Sequence, residues 1–243
     1  MGDWNVSWDD AWDRLAERVR AFVTERDWAH LWLSEGFATY FAALWEREVR
    51  GDSAFRAVMA NVKKTVTSAA VVQQRPVVDL GQTDLMALLN ANSYQKGGYV
   101  LHMMRRLVGD SAWIGGVRSY YAAHRNANAT TDDLRMAMEA SAKTDLKWFF
   151  DQWLGRPGYA ELTTSWTYDG QVHVSVQQGT RWPPFRLRMT VEIEDANGAV
   201  TRVAVDVPAE RDTTLTLPGR FVARPRRVAF DPDGDLLAVI NAR

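Results

Sequence analysis

Cysteine is absent from the 243 residues, which excludes disulfides and thiolate sites within them. An excess of charge of one sign is absent as well. The chain has 29 Lys and Arg against 30 Asp and Glu, a net charge of -1, so no electrostatic case for nucleic acid or an acidic membrane surface follows. No apolar run reaches the roughly 20 residues of a membrane-spanning helix. The segment from Met1 to Asn5 shows no basic stretch leading into an apolar core, so no signal peptide is read there. No G-x-S-x-G is present, and a serine triad is not suggested. These absences describe a soluble chain of unspecified compartment.

What is present describes a globular protein. Hydrophobic residues make up 47% and charged residues 24%, a balance that argues against disorder. Tryptophan is abundant, with eleven copies, many of them between Trp4 and Trp45 and at Trp148 and Trp153. That clustering suggests a large aromatic-packed helical core rather than an aromatic ligand site.

The apolar pattern changes near residue 158. Before it, spacing is helical. Trp8, Trp12, Leu15, Val19 and Phe22 lie on one face of an amphipathic helix, capped by Ser7 with Asp9 and Asp10 in its first turn. The stretch from Leu31 to Arg50 is apolar on nearly every side, as expected of a helix buried in a larger assembly. Gly51-Asp52-Ser53 ends it and caps a helix running to about Val72. Residues 74–92 read as a loop with one helical turn at Leu85–Leu89. Further helices are expected at 94–108, 111–125 and 131–142, and a last one from Leu146 to Leu154, stopped by Gly155-Arg156-Pro157-Gly158.

From Glu161 the period becomes two. Thr163, Ser165 and Thr167 alternate with Leu162, Trp166 and Tyr168. Asp169-Gly170, Asn197-Gly198 and Asp233-Gly234 read as hairpin turns. Seven short strands so spaced suggest a β-sandwich. The expected boundaries are a helical domain at 1–158 and a β-sandwich domain at 159–243.

Two stretches stand out chemically: Asp27 to Phe41, containing W-L-S-E-G-F-A around Glu35, and Ser93 to His102, containing Y-Q-K-G from Tyr94. A glutamate on an apolar helix is costly to bury unless it is functional or salt-bridged. Tyr94 followed by Lys-Gly also reads as an ordinary helix start.

Together, in this order, the two stretches resemble the aminopeptidase N family of gluzincin zinc aminopeptidases. Trp148-Phe-Phe-Asp-Gln-Trp-Leu154 before Pro157-Gly158 is similar to the end of that family's catalytic domain. The strands up to Phe230-Asp231-Pro232 are similar to its β-sandwich. The resemblance spans about residues 23–240. It implies an α+β multidomain architecture: an all-α helical domain, the second half of a thermolysin-like peptidase domain, followed by an all-β immunoglobulin-like sandwich. It also implies Glu35 as third zinc ligand and Tyr94 as donor to the oxyanion.

In the family, zinc is held by H-E-x-x-H and by a glutamate separated from the second histidine by eighteen intervening residues. Counting back from Glu35 without a gap reaches Ala16 and Trp12; the run reads Trp12-Asp13-Arg14-Leu15-Ala16. Neither ligand position holds a histidine, and the general-base position holds Asp13. The family's preceding β-rich domain and glycine-rich amine-binding motif are not found in these residues either. The expectation is a peptidase relative that binds no zinc cofactor and is inactive as a zinc aminopeptidase, a pseudoenzyme with Glu35 as a vestigial metal ligand.

Of the four histidines, His30 is the one that could join Glu35 in a rebuilt metal site, if the helix starts at Leu31. His102 reads as core or surface, and His173 as an exposed strand residue. Two alternatives accompany the inactive reading. One is a metal-independent hydrolase of small activated esters or amides, using Tyr94, Glu35 and Asp13. The other is a truncated or engineered fragment complemented by a partner protein or a missing N-terminal half. A peptide or small ester is the expected ligand. Without zinc, Glu35 is expected to be a buried charge that holds a proton or pairs with Arg14 or Lys96.

Overall fold

The computed structural model describes residues 23–243. The expected helix from Trp8 to Phe22, with Trp12, Asp13 and Ala16, lies outside the described residues. The chain divides into two compact units, one ending at Gly158 and one from Tyr159 to Arg243. Among the described residues, no helix is long and apolar enough to cross a membrane.

Among the described residues, the first unit holds eight helices: α1 (Trp32–Arg50), α2 (Asp52–Ser68), α3 (Ala70–Gln74), α4 (Leu85–Leu88), α5 (Gly97–Val108), α6 (Asp110–His124), α7 (Thr131–Ala142) and α8 (Lys147–Trp153). A 3-10 turn at Trp28–His30 precedes α1, and a π-turn at Asn92–Lys96 precedes α5. Helix α1 buries Trp32, Leu33, Phe37, Tyr40, Phe41 and Leu44. Its rings engage α6: Phe37 stacks on Tyr120 and Tyr40 meets Trp113 edge-on at 5.7 Å. The burial is one-sided, contrary to the all-round apolar reading, since Trp45 is 51% and Val49 57% exposed.

The expected helix to Val72 is broken at Ala69, which is extended. Just before the break, the Thr67 hydroxyl donates to the Lys63 carbonyl and that of Ser68 to the Thr65 carbonyl. Such hydroxyls compete with the backbone ladder and favour helix ends. Helix α7 starts on a full capping box of Thr130 and Asp133. A parallel pair of three-residue strands, β1 (Val23–Glu25) and β2 (Ala127–Ala129), was not expected. Strands that short leave no periodicity to read.

The second unit holds seven strands in two sheets: β3 (Ala160–Tyr168), β4 (Val172–Gln178), β5 (Leu187–Glu194), β6 (Val200–Val207), β7 (Asp212–Thr216), β8 (Arg227–Phe230) and β9 (Ala238–Ala242). The orders are β7-β4-β3-β9 and β6-β5-β8. Val172, Val174 and Val176 of one sheet and Met189, Val191 and Ile193 of the other are buried at alternate positions, as a sandwich requires. Asp169-Gly170 joins β3 to β4 and Asn197-Gly198 joins β5 to β6, both glycines in the left-handed region. Asp233-Gly234 is not a hairpin turn. It lies between β8, which pairs with β5, and β9, which runs parallel to β3 in the other sheet. The whole is α+β and multidomain.

Candidate functional site around Glu35 and Tyr94

Helix α1 begins without a side-chain cap at Leu31, and Glu35 is the acidic residue of its first turn. A carboxylate there faces the positive end of the helix dipole. Glu35 is half-buried, not fully buried as expected. Tyr94, also half-buried, sits in the π-turn, where Lys96 N–H donates to the Ala91 carbonyl and Gly97 N–H to the Asn92 carbonyl, five residues back in each case. A π-turn accommodates one residue more than an α-helical turn and frequently marks a functional site.

Glycine brings the two elements together. A Cβ on Gly36 would stand 2.9 Å from the carbonyl carbon of Gly97, and one on Gly98 would stand 2.9 Å from Thr39 Cγ2. The backbones of α1 and the start of α5 therefore touch, which sets Glu35 and Tyr94 side by side. The Tyr94 phenol is pushed above its ordinary value, first by desolvation and then by the Glu35 carboxylate, through its charge and as hydrogen-bond acceptor. The Tyr94 phenol thus lies within electrostatic reach of the Glu35 carboxylate, which disfavours its ionisation.

The π-turn is tied down along its length. Asn92 Nδ2 approaches three carbonyls, at 3.0 Å from Arg75, 3.1 Å from Pro76 and 3.4 Å from Val71. The Ser93 hydroxyl donates to the Leu88 carbonyl. Lys96 Nζ donates to the Arg156 carbonyl at 3.2 Å. Lys96 therefore does not take the role of base partner to Glu35, and Arg14 lies outside the described residues. The sequence reading missed Asn92, Ser93 and Lys96 as anchors. The signal that could have found them is the glycine flanking each motif, Gly36 after Glu35 and Gly97-Gly98 after Lys96.

His30 is engaged elsewhere. Its Nδ1 lies 2.8 Å from Thr131 Oγ1 and accepts the Thr131 amide at 3.3 Å, while Nε2 lies 3.8 Å from Asp27 Oδ2. Thr131 Oγ1 also accepts from Trp32 Nε1 at 2.8 Å. His102 is buried, with Nδ1 3.2 Å from the Tyr40 hydroxyl. His173 is half-buried, between Thr216 and Asp169. Among the described residues, no three His, Cys, Asp or Glu side chains gather where they could hold a metal ion. A catalytic zinc needs three protein ligands and an open position. The donors described around Glu35 do not fit that centre.

The profile of the Peptidase family M1 domain matches residues 21–153. Aminopeptidase N of Haemophilus influenzae is 30% identical over 194 residues, covering 72% of this chain and 22% of that protein. Aminopeptidase N of Streptomyces lividans is 28% identical over 225 residues, 87% of this chain and 23% of its own. The crystal structure of Legionella pneumophila aminopeptidase A in complex with aspartic acid superposes with a TM-score of 0.80, covering 96% of this chain and 26% of that one, at 19% identity. The chain thus spans about a quarter of the length of these proteins, and the last likeness is one of fold.

Proposed function

The chain belongs to peptidase family M1, and from that premise we propose that it is an aminopeptidase N relative that does not carry out zinc-dependent peptide cleavage on its own. The observation that supports this is the register running back from Glu35, in which Trp12 and Ala16 stand at the two histidine positions. An indole and a methyl group offer a metal no lone pair in place of imidazole. Complete structural zinc sites reach apparent binding energies of roughly 10–16 kcal/mol, and removal of two of the ligands forfeits most of such a term. The water activation that zinc provides, from a pKa near 16 to about 7, is forfeited with it. Peptides remain the expected ligand class, as substrates of the relatives' kind that are bound but not cut.

The test is metal content together with turnover. Elemental analysis of the purified chain is expected to show far less than one zinc per chain, and aminoacyl-p-nitroanilides are expected to be cleaved no faster with zinc than with a chelator. Stoichiometric zinc with chelator-sensitive cleavage would overturn the reading.

The placement of Tyr94 against Glu35 favours a second reading, metal-independent hydrolysis of small activated esters. Glu35 would accept a proton from the attacking water, and Tyr94 would turn its hydroxyl from Glu35 to the developing oxyanion. Asp13, the third carrier of this chemistry, lies outside the described residues. Hydrolysis of p-nitrophenyl acetate that is indifferent to chelator and falls in both Tyr94→Phe and Glu35→Gln supports this reading. Equal rates in all three proteins end it.

A further inference from the structure

Lys96 ends the π-turn two residues after Tyr94 and is 0% exposed. Lysine is almost never fully buried unless an acid accompanies it. Here the group that acts on it electrostatically is Arg156, a like charge. Burial first, and then Arg156, bring the amine down to about 7. A neutral amine keeps its N–H donors. One of them is donated to the Arg156 carbonyl, which lies beyond the end of α8 and just before Pro157.

Packing alone does not explain the choice of residue, because a methionine would fill similar space without a polar atom to desolvate. What the amine adds is a directional bond at the far end of a wide turn. Such a turn is rarer than an α-helical one and has an easy escape: it loses its extra residue and closes into α-helix. A one-residue slip rotates every side chain before it by about 100° around the axis. Tyr94 would then leave Glu35. Asn92 and Ser93 pin the entry to the turn, and the Gly36–Gly97 contact pins the residue after it. Lys96 is the side-chain anchor at its exit.

We propose that Lys96 is a positioning residue whose amine tethers the π-turn to the Arg156 carbonyl and thereby keeps Tyr94 turned toward Glu35. The assignment is independent of whether the chain binds metal or turns over a substrate, so its test needs neither.

The test labels the full chain with 3-fluorotyrosine, identifies the Tyr94 fluorine resonance with Tyr94→Phe, and records how far it moves in Glu35→Gln. That Glu35-dependent shift reports the pair. It is expected to vanish in Lys96→Met and to survive in Val117→Ala, which loosens the core of α6 without touching the turn. A merely structural lysine would lower the melting temperature and leave the shift in place, and persistence of the shift in folded Lys96→Met overturns the proposal. If Lys96→Met does not fold, the wild-type protein decides. A coupling across the hydrogen bond from Lys96 15Nζ to the Arg156 carbonyl 13C is expected, and its absence removes the tether.

Discussion

In the sandwich, the buried Glu192, Gln178 and Asp231 are closed off by partners close by, although Thr164 Oγ1 and Thr213 Oγ1 lack a hydrogen bond. Glu192 receives Arg202 at 2.8 Å and Arg227 at 2.6 Å, Gln178 both donates to and accepts from the backbone of Phe185, and Asp231 accepts the amides of Asp235 and Leu236. In the helical unit, the π-turn buries Lys96 with no carboxylate partner among the described residues and leaves Asn92 Oδ1 without a hydrogen bond. The partnered groups Gln178 and Asp231 fix backbone amides and carbonyls of connecting segments, and Glu192 ties β5 to Arg202 and Arg227. The helical unit accepts an unfavourable amine and an unmatched oxygen to hold one wide turn in place. Imbalance of that kind is what a fold tolerates where a side chain has to be aimed.

The comparison breaks most visibly at the glycine contact. Gly36→Val drives carbon into the Gly97 backbone, and overpacking of this sort costs about 1–3 kcal/mol or more. A clear drop in melting temperature is expected. Gly170→Ala in the sandwich meets nothing within 4 Å and carries only the cost of its positive φ, roughly 1–2 kcal/mol. Equal losses in the two variants would mean that the helices do not touch as described.

Lys96 gives the next effect, which depends on pH. Its folded pKa of about 7 lies below the ordinary lysine value, so between those two values the unfolded chain binds the extra proton and stability rises with pH. The slope approaches at most ~1.4 kcal/mol per pH unit. Urea midpoints of wild type minus Lys96→Met, taken from pH 7 to 10, are expected to climb. A flat difference would mean that the lysine is charged or exposed.

The sandwich counterpart has the opposite acid–base logic. Hydrogen bonds from Arg202, and then from Arg227, hold the Glu192 carboxyl below its usual range. Its contribution is present above the ordinary glutamate value and is lost as the pH falls through the depressed one. Wild type is therefore expected to lose its advantage over Glu192→Gln on acidification, as urea melts at pH 6 and below would show.

The smallest effect is assigned to Glu35→Gln. A half-buried carboxylate beside a phenol that can still hydrogen-bond an amide should change stability by no more than about 0.5 kcal/mol. The Tyr94 phenol should ionise at lower pH once the neighbouring negative charge is gone, as an ultraviolet titration against Tyr94→Phe would detect. A loss of several degrees in melting temperature would show that the charge of Glu35 supports the fold.

Much of this architecture was legible because its elements are long and strongly patterned. Helices α1, α6 and α7 and the hairpins at Gly170 and Gly198 fall where periodicity and turn residues place them. The β1–β2 pair was illegible because six residues carry no period, and the Ala69 break because hydroxyls inside a helical pattern resemble ordinary surface positions. Asp233-Gly234 has hairpin chemistry but joins strands of different sheets, and a turn dipeptide does not reveal which strand its neighbour will choose. Glu35 and Tyr94 were singled out by the resemblance, not by spacing. The depth of Lys96 was hidden because a lysine in a polar-looking turn reads as solvated until the two glycines beyond it are seen to admit another helix.

The chain leaving the first unit is stitched down twice within three residues: the Arg156 oxygen takes Lys96, and the Gly158 amide donates to Val72 at 2.7 Å. A pulling force applied at Tyr159 would load Val72 of α3 through Gly158 and then Lys96 through Arg156. The second of these stitches ends two residues from Tyr94, so tension on the chain there would be passed on to the turn that carries the phenol.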